Sequence, residues 1–170
     1  ISVGSIVALS SVVMAEVYHM GVPMALALVI CLLVGTLCGW INGLVLVKFK
    51  ELSSVIVTLS TMILFRGIAY ILLKDQALGD FPAWFNYFGW GDIGGIPFIF
   101  IAFAVCAIVY GLLLHQTTFG RRVYAIGNNE TASRFSGVKV DRIKWIVFTL
   151  AGLMSAITAI FLTSKMGSTR

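Results

Sequence analysis

Long apolar stretches divide this chain, and they restrict its fold more than any other feature of the sequence. Each stretch is close to the ~20 residues that an α-helix needs to cross ~30 Å of hydrocarbon. A soluble core could not bury all of them. The five stretches comprise residues 1–18, 22–47, 52–73, 97–114 and 145–162. We therefore expect an all-α fold, a polytopic transmembrane helix bundle with about five spanning segments.

The composition excludes an ordinary soluble domain and a nucleic-acid partner. Hydrophobic residues make up 59% of the chain and charged residues only 11%, whereas soluble globular domains carry about 25% charged residues. The net charge of +5 would suit a nucleic acid only if the basic side chains shared one solvated face. They are instead distributed among the gaps between apolar stretches.

The sign of the charge in these gaps predicts the membrane topology. Residues 115–144 hold six basic and two acidic residues, a net charge of +4. Residues 74–96 hold one basic and three acidic residues, a net charge of −2. Because lysine and arginine favour the cytoplasmic side, we expect residues 48–51 and 115–144 to be inside and residues 74–96 to be outside.

Small residues in the second stretch predict close helix packing. Gly35, Gly39 and Gly43 are spaced four residues apart, which places them on one helical face where another backbone can approach. Asn42 lies on the same stretch and is interpreted either as a hydrogen-bonding group between helices or as a substrate contact. The cysteines lie inside apolar stretches, without a CxxC pair or a histidine at ligand spacing, so no metal site is expected.

Polar side chains inside spans are candidates for a transport pathway, because ionisable residues are costly in hydrocarbon. Arg66 lies deep in the third stretch, and Glu16 lies near the outer end of the first. Two interpretations of Arg66 stay open: an ion pair with Glu16, or a position lining the outer part of a pathway. Glu16 either serves the pathway or extends outward to water. The other candidates are the hydroxyl residues Thr58, Ser60 and Thr61.

The predicted outer loop is rich in aromatic residues. Such residues are typical of an interfacial belt that lies on the membrane. Stacking on a sugar is the alternative interpretation. The residues concerned are Phe81, Trp84, Phe85, Tyr87, Phe88 and Trp90.

The inner loop contains signals for a short helix. Asn128 or Asn129 can cap a helix that carries Glu130 in its first turn and ends at Gly137 in the left-handed conformation. A helix of about two turns cannot bury itself, so it requires a partner surface. The alternative is that it lies on lipid headgroups with Arg134 and Lys139 toward the phosphates.

Four segments carry a resemblance to a known family. They are SVGSIVALS from Ser2, GWINGLVLVKFK from Gly39, TLSTMILFRGIAY from Thr58 and GRRVYAIGNNETASRFSGVKVDRIK from Gly120. In this order, through the whole chain, the sequence resembles the permease subunits of bacterial ABC importers for monosaccharides, the group that includes ribose, rhamnose and autoinducer-2 systems. The resemblance implies a multi-pass transport subunit of the bacterial inner membrane, not an enzyme, that imports a small polar sugar by alternating access.

The resemblance also implies partners and a docking segment. An ATP-binding cassette subunit would hydrolyse ATP, a periplasmic or lipid-anchored binding protein would deliver the sugar, and a second permease subunit would complete the pathway. No cofactor is implied. The inner loop is similar to the EAA-type loop that docks on the ATPase, although Thr131 stands where alanine is usual. The residues carried over are Asn129, Glu130, Thr131, Ala132, Arg134 and Gly137.

The domain organisation expected from this resemblance is a single partial permease domain over residues 1–170, truncated at both ends, with residues 115–144 as its cytoplasmic coupling loop. A branched-chain amino acid permease of the same superfamily is the nearest alternative. A membrane-embedded enzyme would need clustered catalytic groups, whereas Glu16, His19 and His115 are scattered. A channel built of inverted repeats would show a repeated filter motif, and the sequence contains none.

Overall fold

The computed structural model describes residues 2–49, 51–73, 81–93 and 95–167. Helices dominate this part of the chain, and a short antiparallel ribbon leads from the fourth helix to the fifth. The ribbon consists of β1 (Asp92–Ile93) and β2 (Ile96–Pro97). The helices are α1 (Val3–His19), α2 (Met24–Lys48), α3 (Ser54–Leu73), α4 (Ala83–Trp90), α5 (Phe98–Gln116), α6 (Thr118–Asn128), α7 (Glu130–Phe135) and α8 (Val140–Met166).

Each of the five apolar stretches is helical over most of its described residues, which confirms the predicted all-α transmembrane bundle. Within the described residues, α2, α3, α5 and α8 are long and apolar enough to cross a membrane. The helix α1 is shorter, with 17 residues and a rise of about 26 Å at ~1.5 Å per residue. The predicted count of five spans is therefore met by four long helices and one shorter apolar helix.

The centre of the bundle is the contact between α2 and α8, where the two backbones touch. A Cβ atom at Gly39 would lie 2.8 Å from the Cα atom of Gly152 on α8, and one at Gly35 would lie 2.5 Å from the Cβ atom of Ala156. Gly43 meets α8 in the same way. The three glycines thus lie on the face of α2 that packs against α8, because only hydrogen fits between these backbones.

At the end of the bundle that holds the predicted outer loop, α4 packs against α8. Phe85 is fully buried, and its carbonyl oxygen accepts a 2.6 Å hydrogen bond from the Ser164 hydroxyl. Phe81 is also buried, with its ring 5.9 Å from that of Tyr18. The prediction of one interfacial aromatic belt is therefore wrong for these two phenylalanines, because α4 places Phe85 against α8 and Phe81, which precedes α4, packs beside Tyr18 of α1. The more exposed aromatic residues of α4 are Trp84, Tyr87 and Trp90.

The end of the bundle that holds residues 115–144 is more helical than the sequence predicts. Helix α5 runs to Gln116 and α8 begins at Val140, so residues 115–144 are not one loop. Helices α6 and α7 together fill most of the interval, and α6 was not predicted. It carries half-buried apolar residues at helical spacing, namely Phe119, Val123 and Ile126, and this is the signal that could have identified it.

The charged segments lie at opposite ends of the bundle, as the predicted topology requires. Helix α7 contacts the first turns of α8 through Asp141 and Lys144. Helix α4 contacts the last turns of α8 near Ser164. The predicted outer charges Lys74, Asp75 and Asp80 lie outside the described residues.

Candidate coupling surface

Local interactions fix both ends of the short helix α7. The side-chain oxygen of Asn129 accepts a 2.9 Å hydrogen bond from the backbone N–H of Ala132, which is an N-cap. Glu130 follows in the first turn, where a negative charge is favourable. At the other end, Gly137 has a φ of +80° and its N–H donates to the carbonyl of Arg134 at 3.2 Å. This arrangement is a Schellman C-cap, which requires the left-handed conformation that glycine adopts without strain.

Four charged side chains of alternating sign join α7 to the beginning of α8. Lys144 Nζ lies 2.6 Å from Glu130 Oε2. Arg134 lies 3.5 Å from Glu130 Oε1 and 3.0 Å from Asp141 Oδ1. These side chains are between one third and one half exposed, so each pair contributes at most ~1 kcal/mol to stability. The main effect of the network is to orient α7 relative to α8.

The network also favours the ionised form of Glu130. A hydrogen bond from Lys144 lowers the pKa of this carboxyl group most, and the charges of Lys144 and Arg134 lower it further, whereas partial burial raises it. The net direction is downward. Glu130 therefore carries its negative charge at neutral pH and keeps its cationic partners in place.

The remaining side chains of α7 divide into a buried and an exposed side. Ser133 is 6% exposed and faces the bundle. Thr131 and Ala132 are exposed, and Phe135 is exposed over 89% of its surface. We call Thr131, Ala132 and Phe135 the α7 face. This face exposes an aromatic ring and small side chains, while the charged network connects the helix to α8.

The predicted hydroxyl residues of α3 bond to the backbone of their own helix. Thr58 is buried and donates to the carbonyl of Ser54 at 2.9 Å. Ser60 donates to the carbonyl of the residue four positions earlier at 3.0 Å, and so does Thr61. Their hydrogens are therefore used within α3, and only their oxygen lone pairs remain to accept hydrogen bonds.

One interpretation of Arg66 was an ion pair with Glu16. In the part of the chain that the structure describes, these two side chains form no ion pair. Arg66 is exposed on α3 and lies beside a shallow groove that includes Ala8 and Val12 of α1. Glu16 is half-buried about one turn farther out along α1, so the register of the two helices keeps the charges apart. Ile63, on the same face as Arg66, is 70% exposed.

The side chain of Asn42 links α2 to Ser2, the residue that precedes α1. Its side-chain nitrogen donates a 2.9 Å hydrogen bond to the Ser2 hydroxyl, and the residue is 1% exposed. This contact supports the structural interpretation over a substrate contact. Among residues 2–49, 51–73, 81–93 and 95–167, no group of three or more His, Cys, Asp or Glu side chains could hold a metal ion.

Comparisons with known proteins all point to permease components of transport systems. The family described as "Branched-chain amino acid transport system / permease component" matches residues 1–170. The autoinducer 2 import system permease protein LsrD of Yersinia enterocolitica serotype O:8 is 38% identical over 177 residues, which cover 100% of this chain and 53% of that protein. The LsrD proteins of Salmonella typhimurium and Escherichia coli O9:H4 are 36% identical with the same coverage. No solved structure matches significantly.

The chain spans about half the length of the curated relatives that it matches. These relatives are permeases rather than enzymes. This similarity and the long apolar helices together identify the chain as a multi-pass protein of the bacterial cytoplasmic membrane. The match over all 170 residues shows that the chain belongs to this family of transport-system permease components.

Proposed function

We propose that this chain forms part of the permease subunit of an ATP-driven importer, with the α7 face as the surface on which an ATP-binding cassette subunit docks. The observation that carries the proposal is the construction of α7. A helix of six residues is capped at both ends, tied to α8 by Lys144 and Arg134, and left with an exposed Phe135.

The position of α7 suits a transmitter of mechanical force. It contacts the first turns of a 27-residue helix whose last turns contact α4 at the opposite membrane surface. A partner that displaces α7 therefore acts on a helix that reaches the outer surface. The coupling residues of this proposal are Asn129, Glu130, Thr131, Ala132, Arg134 and Gly137.

The proposed pathway borders the exposed side of α3. An arginine about 18 Å along α3 from Ser54, at ~1.5 Å per residue, is unfavourable in lipid unless it meets water, protein or an acid. Arg66 is exposed there without an acidic partner among the described residues. We therefore place this face of α3 against a second permease subunit or a hydrated pathway, with Ser60 and Thr61 farther in and Glu16 near the outer mouth.

The proposed substrate is a monosaccharide or a related small polar molecule of the autoinducer-2 class. The similarity to LsrD proteins along the whole chain favours it. The family description favours a second candidate, a branched-chain amino acid. A periplasmic or lipid-anchored binding protein would deliver either substrate, so the ligand copurifying with the cognate binding protein discriminates between them.

Site-specific crosslinking tests the docking proposal. Single cysteines in place of Phe135 on the α7 face and Trp84 at the outer end would be introduced into a cysteine-free full-length permease. We expect Phe135→Cys to crosslink to the ATPase subunit and Trp84→Cys not to do so. Tyr124→Cys, on the exposed side of α6, is a control for mere proximity to the inner surface. Equal crosslinking of all three cysteines, or none at Phe135→Cys, would contradict the proposal.

A further inference from the structure

A pocket between α6 and the first two turns of α8 gathers three positive charges. It lies at the inner end of the bundle, beside the segment that connects α7 to α8. No acidic side chain is among the described residues that line it. Its cationic side chains belong to Arg122, Lys139 and Arg142, and its apolar walls include Phe119, Ile143 and Ile146.

These cations differ from their neighbours in having no anionic partner. Arg134 and Lys144 are both paired with carboxylates. By contrast, no described residue forms an ion pair or a hydrogen bond with the side chain of Arg122, Lys139 or Arg142. Like charges around one concavity repel each other and generate a positive potential, so an anion bound there would relieve the repulsion.

The depth of the pocket is that of lipid headgroups. Arg142 lies one turn before Trp145, where the apolar stretch of α8 begins. The Trp145 ring packs against Trp40 at 5.7 Å and its N–H donates to the Trp40 carbonyl at 3.3 Å. Tryptophan is enriched at the boundary between hydrocarbon and water. The cations therefore lie on the cytoplasmic side of this boundary, and the isoleucine walls lead toward the hydrocarbon.

We propose that this pocket binds the phosphate of an anionic phospholipid from the inner leaflet. Arg122, Lys139 and Arg142 surround the phosphate, while Phe119 and Ile146 contact the adjoining glycerol and acyl carbons. The mixed polar and apolar lining favours a lipid over a free inorganic anion, because an inorganic anion has no apolar surface to contact the apolar walls. Bound lipid would join α6 to α8, and this proposal does not depend on the identity of the transported substrate.

Lipid titration of the purified full-length permease, followed by native mass spectrometry, tests the site. The probes are phosphatidylglycerol, phosphatidylcholine and inorganic phosphate. We expect the wild type to prefer phosphatidylglycerol to phosphatidylcholine. Arg122→Gln should weaken phosphatidylglycerol binding about fivefold, the effect of roughly one juxtamembrane cation. The variant with Arg122, Lys139 and Arg142 all changed to glutamine should show no preference.

Arg121→Gln is the matched control, since it removes the same charge at the neighbouring residue, which does not line the pocket. Arg122→Lys and Arg142→Lys retain the charge and should retain the preference, which separates loss of binding from misfolding. A triple variant that keeps the preference would overturn the proposal. So would an equal loss in Arg121→Gln, which would indicate general attraction. Inorganic phosphate that binds as well as the lipid and displaces it would assign the pocket to a soluble anion instead.

Discussion

Lys144 Nζ lies 2.6 Å from Glu130 Oε2 and thereby connects α7 to α8. The contact joins a helix outside the hydrocarbon to one that crosses it. Arg134 reinforces the connection, because it contacts both Glu130 and Asp141. Two elements that are separated by the turn at Gly137 are thus held in one orientation by two carboxylates, of which Glu130 contacts both cations of the network.

The charge of Glu130 should make the orientation of α7 sensitive to acid. Because the pKa of the Glu130 carboxyl group is lowered in the folded state from its ordinary value of 4.5, its contribution to stability is present above pH ~4.5 and is lost as the pH falls through the lower folded value. We expect Glu130→Gln to destabilise the permease by at most ~1 kcal/mol at pH 7, with a smaller difference from wild type near pH 4. Thermal unfolding at the two pH values measures this, with Glu51→Gln as a control at an exposed acid. An equal difference at both pH values would contradict the prediction.

Loss of the N-cap should loosen α7 without affecting the spans. Asn129→Ala removes the hydrogen bond to the Ala132 N–H, at a cost of ~1 kcal/mol. We expect faster amide hydrogen exchange in α7. Asn128→Ala is the control, because the side chain of the preceding asparagine caps neither helix. Unchanged exchange in Asn129→Ala would show that the cap is not needed.

Truncation of Phe135 should weaken docking of the ATPase subunit while leaving stability unchanged. The side chain is 89% exposed, so Phe135→Ala removes little internal packing. If the α7 face contacts the partner, loss of an aromatic anchor should cost ~2 kcal/mol of binding free energy, or about 30-fold in affinity. Copurification and substrate-stimulated ATP hydrolysis measure the effect. Tyr124→Ala removes another exposed aromatic from the inner surface and should behave as wild type.

A branched side chain at Gly39 should force α2 and α8 apart. Gly39→Leu would place carbon atoms within 3 Å of the Gly152 backbone, and we expect a loss of ~1–3 kcal/mol through overpacking. Gly111→Leu is the matched control, because the space around Gly111 on α5 is open. Thermal unfolding should separate the two variants. Similar midpoints for both would show that the glycine contact can relax.

Arg66 should be required for its charge rather than for a paired geometry. The described residues provide no carboxylate for a bidentate contact, so Arg66→Lys should retain much of the transport activity and Arg66→Ala should lose most of it. Uptake by proteoliposomes that contain the complete transporter measures both. Equal loss in the two variants would indicate a partner that needs the planar guanidinium group, and wild-type uptake in both would assign Arg66 to an interfacial position without function.

The features that the sequence predicted correctly are those decided by nearby residues. The caps of α7 at Asn129 and Gly137 depend on interactions within a few positions. The prediction failed where distant packing decides the outcome. Nothing near Phe85 in the sequence reveals that α4 lies across α8. The separation of Arg66 from Glu16 likewise depends on the register between α1 and α3, which no local pattern encodes.

The glycine contact between α2 and α8 also limits the movements that transport can use. Rotation of either helix about its own axis would bring bulky neighbours such as Leu37 or Trp40 into the place of Gly39, where two backbones already touch. If α2 instead slides along its axis by one turn, Gly35 or Gly43 takes the place of Gly39 at the contact. Shear along this contact is therefore the low-cost motion of α2 relative to α8. The two helices should remain in contact as they slide, while α3 and α5, which have fewer buried residues, change neighbours around them.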